Sequence, residues 1–172
     1  MKNYKLIRLG LYFGLLFFVA TACLKDETID YTPEREQGLL SEYLARLVSK
    51  GHNVDTTSAG VYYVPVQAGQ GAMPKAGDTL SVIYYGFLIT GEVFDASVWH
   101  SQDSLYTFVY KGVDMIEGWD DMMVHMNKGR KVECIIPSDL AYGAEGVPGV
   151  IPPYSTIVFS MKMKNIKPVS VQ

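Results

Sequence analysis

The chain has 172 residues, of which 48% are apolar and 19% are charged. This length supports one well-buried domain with extensions, and it is too short for two ordinary domains preceded by a leader. The formal net charge of −3 and the lack of a Lys- or Arg-rich cluster argue against nucleic acid as the main partner, because binding to phosphates requires concentrated positive charge.

Residues 1–22 have the pattern of an export signal. A short cationic start precedes an apolar stretch, and small residues follow before Cys23. The apolar stretch is shorter than the roughly 20 residues that a membrane-spanning helix requires, so cleavage is favoured over a permanent span. Removal of the segment would take away Lys2, Lys5 and Arg8 but no acid, and it would change the formal net charge from −3 to −6.

The small residue directly before Cys23 resembles the lipobox of bacterial lipoproteins, although Ala20 stands where Leu is usual. This resemblance implies that Cys23 becomes the lipid-modified first residue of the mature chain, which would hold the protein at a membrane surface. Lys25, Asp26 and Glu27 then resemble a surface-export signal of some Gram-negative lipoproteins, and a solvated tether is the alternative. We therefore expect an outer membrane lipoprotein of a Gram-negative bacterium, facing either the periplasm or the cell surface.

After acylation of Cys23 the remaining cysteine is Cys134, so no intramolecular disulfide is expected. Cys134 alternates within a strand-like run, which predicts a buried and inert thiol. The histidines His52, His100 and His125 are scattered, and the sequence contains no CxxC or HExxH pattern. We therefore predict no metal site and no cofactor.

An amphipathic N-terminal helix is predicted over residues 33–50. Thr32 is a favourable N-cap before a first-turn proline, and Gly51 provides a stop. Two acids, Glu34 and Glu36, lie near the positive end of the helix. The apolar stripe consists of Leu39, Leu40, Tyr43, Leu44, Leu47 and Val48. Either the chain's own main domain, which we favour, or a second copy in a weak homodimer must cover this stripe.

From Gly60 the sequence changes to strand-like runs that turn residues separate. Five runs are rich in Val, Ile, Tyr and Phe: 61–66, 79–89, 106–110, 130–136 and 156–166. Between the third and the fourth run, apolar residues recur at helical spacing over 115–124. Five antiparallel strands with this helix on one face predict an α+β fold. The predicted organisation is a leader (1–22), a tether with the amphipathic helix (23–58), the main domain (59–167) and a tail (168–172).

Four motifs and one proline-rich segment occur in an informative order. They are Tyr84-Tyr85-Gly86, Gly91-Glu92-Val93-Phe94-Asp95-Ala96-Ser97, Ile116-Glu117-Gly118-Trp119, Ala141-Tyr142-Gly143-Ala144 and the segment 146–159. In this order and near-spacing they resemble the FKBP-type peptidyl-prolyl cis-trans isomerases over residues 60–166. The resemblance implies an FKBP-like half-barrel, in which a five-stranded antiparallel sheet wraps on one short helix, here in a bacterial lipoprotein form.

The resemblance also implies a proline-holding pocket. Trp119 would form its floor, Tyr142 would donate a hydrogen bond to the substrate carbonyl, and Asp95 would be an orienting acceptor at its edge. The walls would be Tyr84, Phe94, Tyr106, Met115, Ile116, Ile151 and Phe159. The segment 146–153 would form a flap over the pocket. For Asp95, a turn-capping role is the alternative.

Rotation about an Xaa-Pro bond crosses a barrier of about 18–20 kcal/mol and makes or breaks no bond, so it requires no nucleophile or metal. An apolar pocket disfavours the charge-separated planar amide relative to the twisted one, which is catalysis by differential binding. We expect an isomerase that acts on Xaa-Pro segments and assists the folding of exported or envelope proteins. The alternative is a non-catalytic or weakly catalytic proline-binding chaperone or assembly factor of an envelope complex.

The segment 96–110 departs from the pattern of the family. It contains no Lys or Arg, whereas many relatives place a basic partner near the pocket aspartate. The partner of Asp95 is therefore left open, and Trp99 is a candidate to shield that edge of the pocket. Met115 is commonly Val in the family and Tyr106 is commonly Phe, which are tolerable apolar exchanges.

Overall fold

The structure, a computed structural model, describes residues 30–170. The predicted leader 1–22, the predicted acylation site Cys23 and the charged residues directly after it lie outside this range. Among the described residues, no helix combines the length and the apolar character that a membrane crossing requires.

The first described element is helix α1 (Pro33–Ser49). The side chain of Thr32 accepts a hydrogen bond from the backbone N–H of Arg35 at 3.2 Å, so Thr32 is the N-cap. At the other end, Gly51 adopts a φ of +82° and its N–H donates to the carbonyl of Val48 at 2.9 Å. The predicted start and stop of this helix are confirmed.

Seven antiparallel strands form one open sheet within residues 30–170. They are β1 (Asp55–Thr56), β2 (Tyr62–Gln67), β3 (Thr79–Leu88), β4 (Val93–Ala96), β5 (Tyr106–Val109), β6 (Lys131–Ile136) and β7 (Ile157–Lys167). Their order is β1-β2-β6-β7-β3-β4, and β5 also pairs with β3.

The predicted fold class is confirmed, but the predicted number of five strands is too low. β1 and β4 are the additional strands, and the sheet begins at Asp55, before the predicted domain start at residue 59. β4 and β5 lie one after the other along the same edge of β3, where β4 pairs with its second half and β5 with its first half. The segment between them leaves the sheet and lies beside the functional site described below.

The short helix α2 (Glu117–Met123) covers one face of the sheet. Trp119, Met122 and Met123 are buried there and belong to the main core cluster. The sheet contributes Leu80, Val82, Tyr84, Val132, Cys134, Ile136, Phe159, Met161 and Met163 to this cluster, and Val61 joins it from directly before β2. Burial raises the pKa of the Cys134 thiol to about 12, so the thiol stays protonated at neutral pH. The prediction of a buried, inert cysteine is confirmed.

Helix α1 packs on the opposite face of the sheet. Leu47 is buried against Val64, Ile135 and Val158, with Leu40 and Tyr43 beside them. The Tyr43 hydroxyl also donates to Glu133 on β6 at 2.6 Å. Three residues of the apolar stripe, Leu40, Tyr43 and Leu47, therefore pack on the chain's own domain, as favoured from the sequence, whereas Val48 is 61% exposed. The weak homodimer through residues 33–50 stays a prediction.

Candidate active site

A cavity of about 670 Å³ opens beside α2, between the outer strands and the loop that follows β6. Eight of the ten residues predicted for the pocket line it: Tyr84, Asp95, Tyr106, Met115, Ile116, Trp119, Tyr142 and Phe159. Trp119 is 2% exposed and forms part of the lining from α2. The structure thus brings most of the predicted site together in one place.

Phe94 and Ile151 are not among the lining residues. The ring of Phe94 packs edge-on against Phe159, with centroids 5.6 Å apart. Both rings close over Gly86, where a Cβ atom would lie 2.7 Å from Phe94 and 2.8 Å from Phe159. Ile151 is buried within the flap, where its backbone pairs with Val147. In this structure both side chains contribute to the packing around the site and not to its lining.

The aromatic lining of the cavity is mutually braced. The ring of Trp119 stands edge-on to Tyr84 at 5.2 Å and to Phe159 at 5.1 Å, with interplanar angles of 81° and 83°. Tyr84 and Phe159 also contact each other at 5.8 Å, and Tyr106 stands perpendicular to Tyr84 at 5.8 Å. Edge-to-face pairs contribute about 0.5–1.5 kcal/mol each beyond their burial. Because each ring is held by others, the aromatic part of the lining is stiff.

Asp95 lies on β4 at the edge of the cavity, where three groups hold its carboxylate. Oδ2 accepts from the Tyr84 hydroxyl at 2.7 Å, and Oδ1 lies 2.8 Å from the backbone N–H of Ala96 and 2.7 Å from Nε2 of His100. The bond to Ala96 is the turn-capping role considered from the sequence. The other two bonds come from side chains of the cavity, so Asp95 also organises its rim.

His100 is the residue of this rim that the sequence reasoning missed. It follows the 3-10 turn Ser97–Trp99, and in the sequence it is one of three histidines that form no cluster. The signal in the sequence was its place in the segment 96–110, which has no Lys or Arg where the family resemblance implies a basic partner for Asp95. Trp99 does not line the cavity and is 60% exposed, so it does not shield this edge. Other lining residues that were not predicted are Asp114, Glu117, Asp139, Leu140 and Ala141.

The tyrosine hydroxyls of the cavity differ in their partners. The Tyr84 hydroxyl donates to Asp95, and the Tyr106 hydroxyl lies 4.0 Å from the sulfur of Met115. No hydrogen bond to another residue in the described range engages the hydroxyl of Tyr142. Burial, followed by the charge of Asp95, raises the pKa of Tyr142, so its hydroxyl keeps its proton at neutral pH. Tyr142 is therefore a donor that a bound group can use.

Burial and the hydrogen bond to Asp95 raise the pKa of Tyr84 as well, which keeps this hydroxyl a donor to the carboxylate. Within residues 30–170, no group of three or more His, Cys, Asp or Glu side chains is placed to hold a metal ion. The arrangement can enclose a small apolar ring, with one free hydroxyl donor and one anchored carboxylate at the rim.

Comparison with known proteins identifies the family of this chain. A family model described as FKBP-type peptidyl-prolyl cis-trans isomerase matches residues 70–164. The chain belongs to this family. Among the curated members that the chain resembles, the FKBP-type peptidyl-prolyl cis-trans isomerase FkpA of Escherichia coli K12 is 42% identical over 120 residues, which cover 70% of this chain and 43% of the relative.

A second family member, the peptidyl-prolyl cis-trans isomerase Mip of Coxiella burnetii, is 40% identical over 114 residues, covering 66% of this chain and 48% of the relative. The chain thus spans less than half the length of these two family members. Among solved structures, a peptidyl-prolyl cis-trans isomerase from Pseudomonas syringae pv. tomato aligns with a TM-score of 0.67 at 28% identity, covering 81% of this chain and 99% of the other. Escherichia coli FkpA aligns with a TM-score of 0.64 at 35% identity, covering 80% and 63%. These structures confirm the FKBP-like fold.

Proposed function

We propose that this protein is a peptidyl-prolyl cis-trans isomerase that binds the proline of an Xaa-Pro segment in the cavity beside α2. The observation that carries the proposal is a cavity with stiff aromatic walls, in which the hydroxyl of the half-buried Tyr142 donates to no other residue of the range 30–170. Membership of the FKBP-type family supports the same reaction. The proposal requires no covalent chemistry, because the reaction is a rotation about one amide bond.

The cavity would act by preferring the twisted amide. Twisting removes the amide resonance and much of the charge separation of the carbonyl, so an apolar lining disfavours the planar ground state more than the transition state. Shortening a process of tens of seconds to milliseconds corresponds to about 5–6 kcal/mol. Tyr142 would hold the substrate carbonyl by a hydrogen bond, while Trp119 would lie under the proline ring. Asp95 would keep Tyr84 and His100 in place at the rim.

Replacement of Tyr142 by Phe tests this assignment. We expect kcat/KM for short Xaa-Pro peptides to fall about 3- to 10-fold, because one hydrogen bond to the substrate is lost while the ring remains. A protease-coupled assay or an NMR exchange experiment measures the rate. Tyr62→Phe, on the opposite face of the sheet, is the matched control and should leave kcat/KM unchanged. A wild-type rate in Tyr142→Phe would remove Tyr142 from the site. Wild-type turnover equal to that of buffer would favour a proline-binding chaperone.

We further propose that the protein is an acylated outer membrane lipoprotein whose substrates are exported or envelope proteins. The support is the cationic and apolar pattern of residues 1–22 with a small residue before Cys23. Mass spectrometry of the mature N-terminus is expected to find acylated Cys23, and Cys23→Ser should move the protein from the membrane fraction to the soluble fraction. An unmodified chain that starts elsewhere would contradict the proposal. Accessibility to an antibody on intact cells distinguishes the cell surface from the periplasmic face.

A further inference from the structure

The N-terminal helix reaches the functional site through one buried carboxylate. Glu36 on α1 is 9% exposed. Its Oε1 accepts from the Ser138 N–H at 2.7 Å and from the Thr156 hydroxyl at 2.7 Å, and its Oε2 accepts from the Ser138 hydroxyl at 2.5 Å. Among the ion pairs of residues 30–170, none involves Glu36. Because a buried carboxylate without a cation depends on hydrogen-bond donors, these three donors are fixed relative to α1.

Ser138 is the starting point of the turn that carries Tyr142. The carbonyl of Ser138 accepts from the N–H of Ala141 at 2.9 Å and from the N–H of Gly143 at 2.8 Å, on either side of Tyr142. The carbonyl of Gly143 in turn accepts from the N–H of Tyr154 at 2.9 Å. A displacement of Ser138 would therefore move the backbone on both sides of Tyr142.

Thr156, the other partner of Glu36, holds the opposite end of the same loop. It directly precedes β7 and follows the flap segment 146–153. The N–H of Gly146 donates to the carbonyl of Tyr142 at 3.0 Å, which joins the flap to the Tyr142 turn. The carboxylate of Glu36 thus ties α1 to the beginning and to the end of the loop that contains both Tyr142 and the flap.

We propose that Glu36 is a positioning residue for the isomerase reaction, which acts through Ser138 and Thr156 to hold Tyr142 over the cavity. The inference rests on the proposed role of Tyr142 as the donor to the substrate carbonyl. If it is correct, α1 contributes to the rate of the reaction by fixing the position of Tyr142, in addition to packing on the sheet.

Glu36→Gln tests the proposal, because the amide keeps the size of the side chain but removes its charge. An NH2 group then replaces the oxygen that accepts from the Ser138 hydroxyl, so that bond must break or reverse, and the bonds from the Ser138 N–H and the Thr156 hydroxyl lose their charge assistance. We expect kcat/KM for Xaa-Pro peptides to fall by no more than the roughly 3- to 10-fold expected for Tyr142→Phe, in a protein that circular dichroism shows to be folded at the assay temperature. Glu42→Gln, on the same helix with a side chain that is 75% exposed, is the matched control and should keep the wild-type rate. A wild-type kcat/KM in folded Glu36→Gln would overturn the proposal.

A double-mutant cycle with Tyr142→Phe separates positioning from a general loss of stability. If Glu36 acts through Tyr142, Glu36→Gln should lower kcat/KM by less than about twofold in the Tyr142→Phe background. An equal loss in both backgrounds would show that Glu36 does not act through Tyr142, and it would overturn the proposal.

Amide hydrogen exchange gives a readout that does not depend on activity. In Glu36→Gln the amides of Ala141, Gly143 and Tyr154 should exchange faster than in the wild type, and unchanged exchange would overturn the positioning role. This exchange experiment does not depend on the role of Tyr142 in the reaction. If Tyr142→Phe proves fully active, that result contradicts the proposed role of Tyr142 and leaves the exchange result valid.

If Glu36→Gln does not fold, Ser138→Ala provides a milder test, because it removes one of the three donors. It should change amide exchange and kcat/KM in the same direction as Glu36→Gln, but by less. Unchanged values in that variant would also overturn the proposal.

Discussion

Replacement of Asp95 by Ala is expected to lower kcat/KM for short Xaa-Pro peptides by about 10- to 100-fold, the largest loss among the activity variants considered. The substitution removes the acceptor of the Tyr84 hydroxyl and the partner of His100, so two groups of the cavity rim lose their fixed positions at once. The rate is measured with the NMR exchange assay, and folding is checked by thermal unfolding.

The adjoining loop contains a matched control for this variant. Asp103 accepts from the backbone N–H of Leu105 and from the hydroxyl of Ser101, so it caps a local turn and lies outside the cavity. Asp103→Ala should leave kcat/KM unchanged. If Asp95→Ala also leaves kcat/KM unchanged, Asp95 is a turn cap like Asp103 and plays no part in the reaction. Asp95→Asn keeps the shape of the side chain and removes its charge. Comparing its kcat/KM with that of Asp95→Ala therefore distinguishes the effect of the charge from the effect of losing the whole side chain.

The second large effect is expected for Gly146→Ala in the flap, which should lower the free energy of unfolding by about 2–4 kcal/mol. Gly146 has a φ of +60°, and a Cβ atom there would collide with the backbone of Ile151 and lie 2.7 Å from the carbonyl carbon of Pro152. Neither backbone group can rotate away as a side chain would. Urea-induced unfolding measures the change.

Gly149→Ala is the matched control for the flap variant. Gly149 also has a positive φ, +74°, but no atom lies within 4 Å of a Cβ built at this position. The control therefore carries the backbone strain without the collision, and we expect it to cost about 1 kcal/mol. If both variants lower the free energy of unfolding by the same amount, the flap backbone shifts to accommodate the Cβ atom, and Gly146 is required only for its positive φ. A concurrent fall in kcat/KM in Gly146→Ala alone would connect the flap to turnover.

Much of the sheet could be predicted from the sequence, because β2, β3, β5, β6 and β7 are rich in β-branched and aromatic residues. β4 was not predicted, since its four residues pair with only half of β3 and its position depends on that pairing. β1 has two residues and therefore no compositional signal. Short strands of this kind form because they pair with a neighbouring strand, and local sequence propensity does not reveal that pairing.

The lining of the site followed from motifs of the family, but the groups that hold it in place did not. His100 lies within reach of Asp95 because the 3-10 turn Ser97–Trp99 folds the chain back at that point. The position of Glu36 near a helix start predicted only a favourable interaction with the helix dipole. Its burial depends on which side of α1 faces the sheet, and its partner Ser138 is 102 residues away. Such long-range partners are set by tertiary packing.

The place of β7 in the sheet has a consequence for the biogenesis of the protein. β7 is the last strand of the described chain, yet it lies at the centre of the sheet between β6 and β3, where Lys167 pairs with Thr79. Contacts between segments so far apart in sequence form late, because the entropy of closing the loop must be overcome first. Phe159 belongs to β7 and also lines the cavity. A nascent chain that has not yet paired β7 therefore lacks both the strand that joins β6 to β3 and one ring of the cavity, so the cavity is complete only after this last strand has entered the sheet.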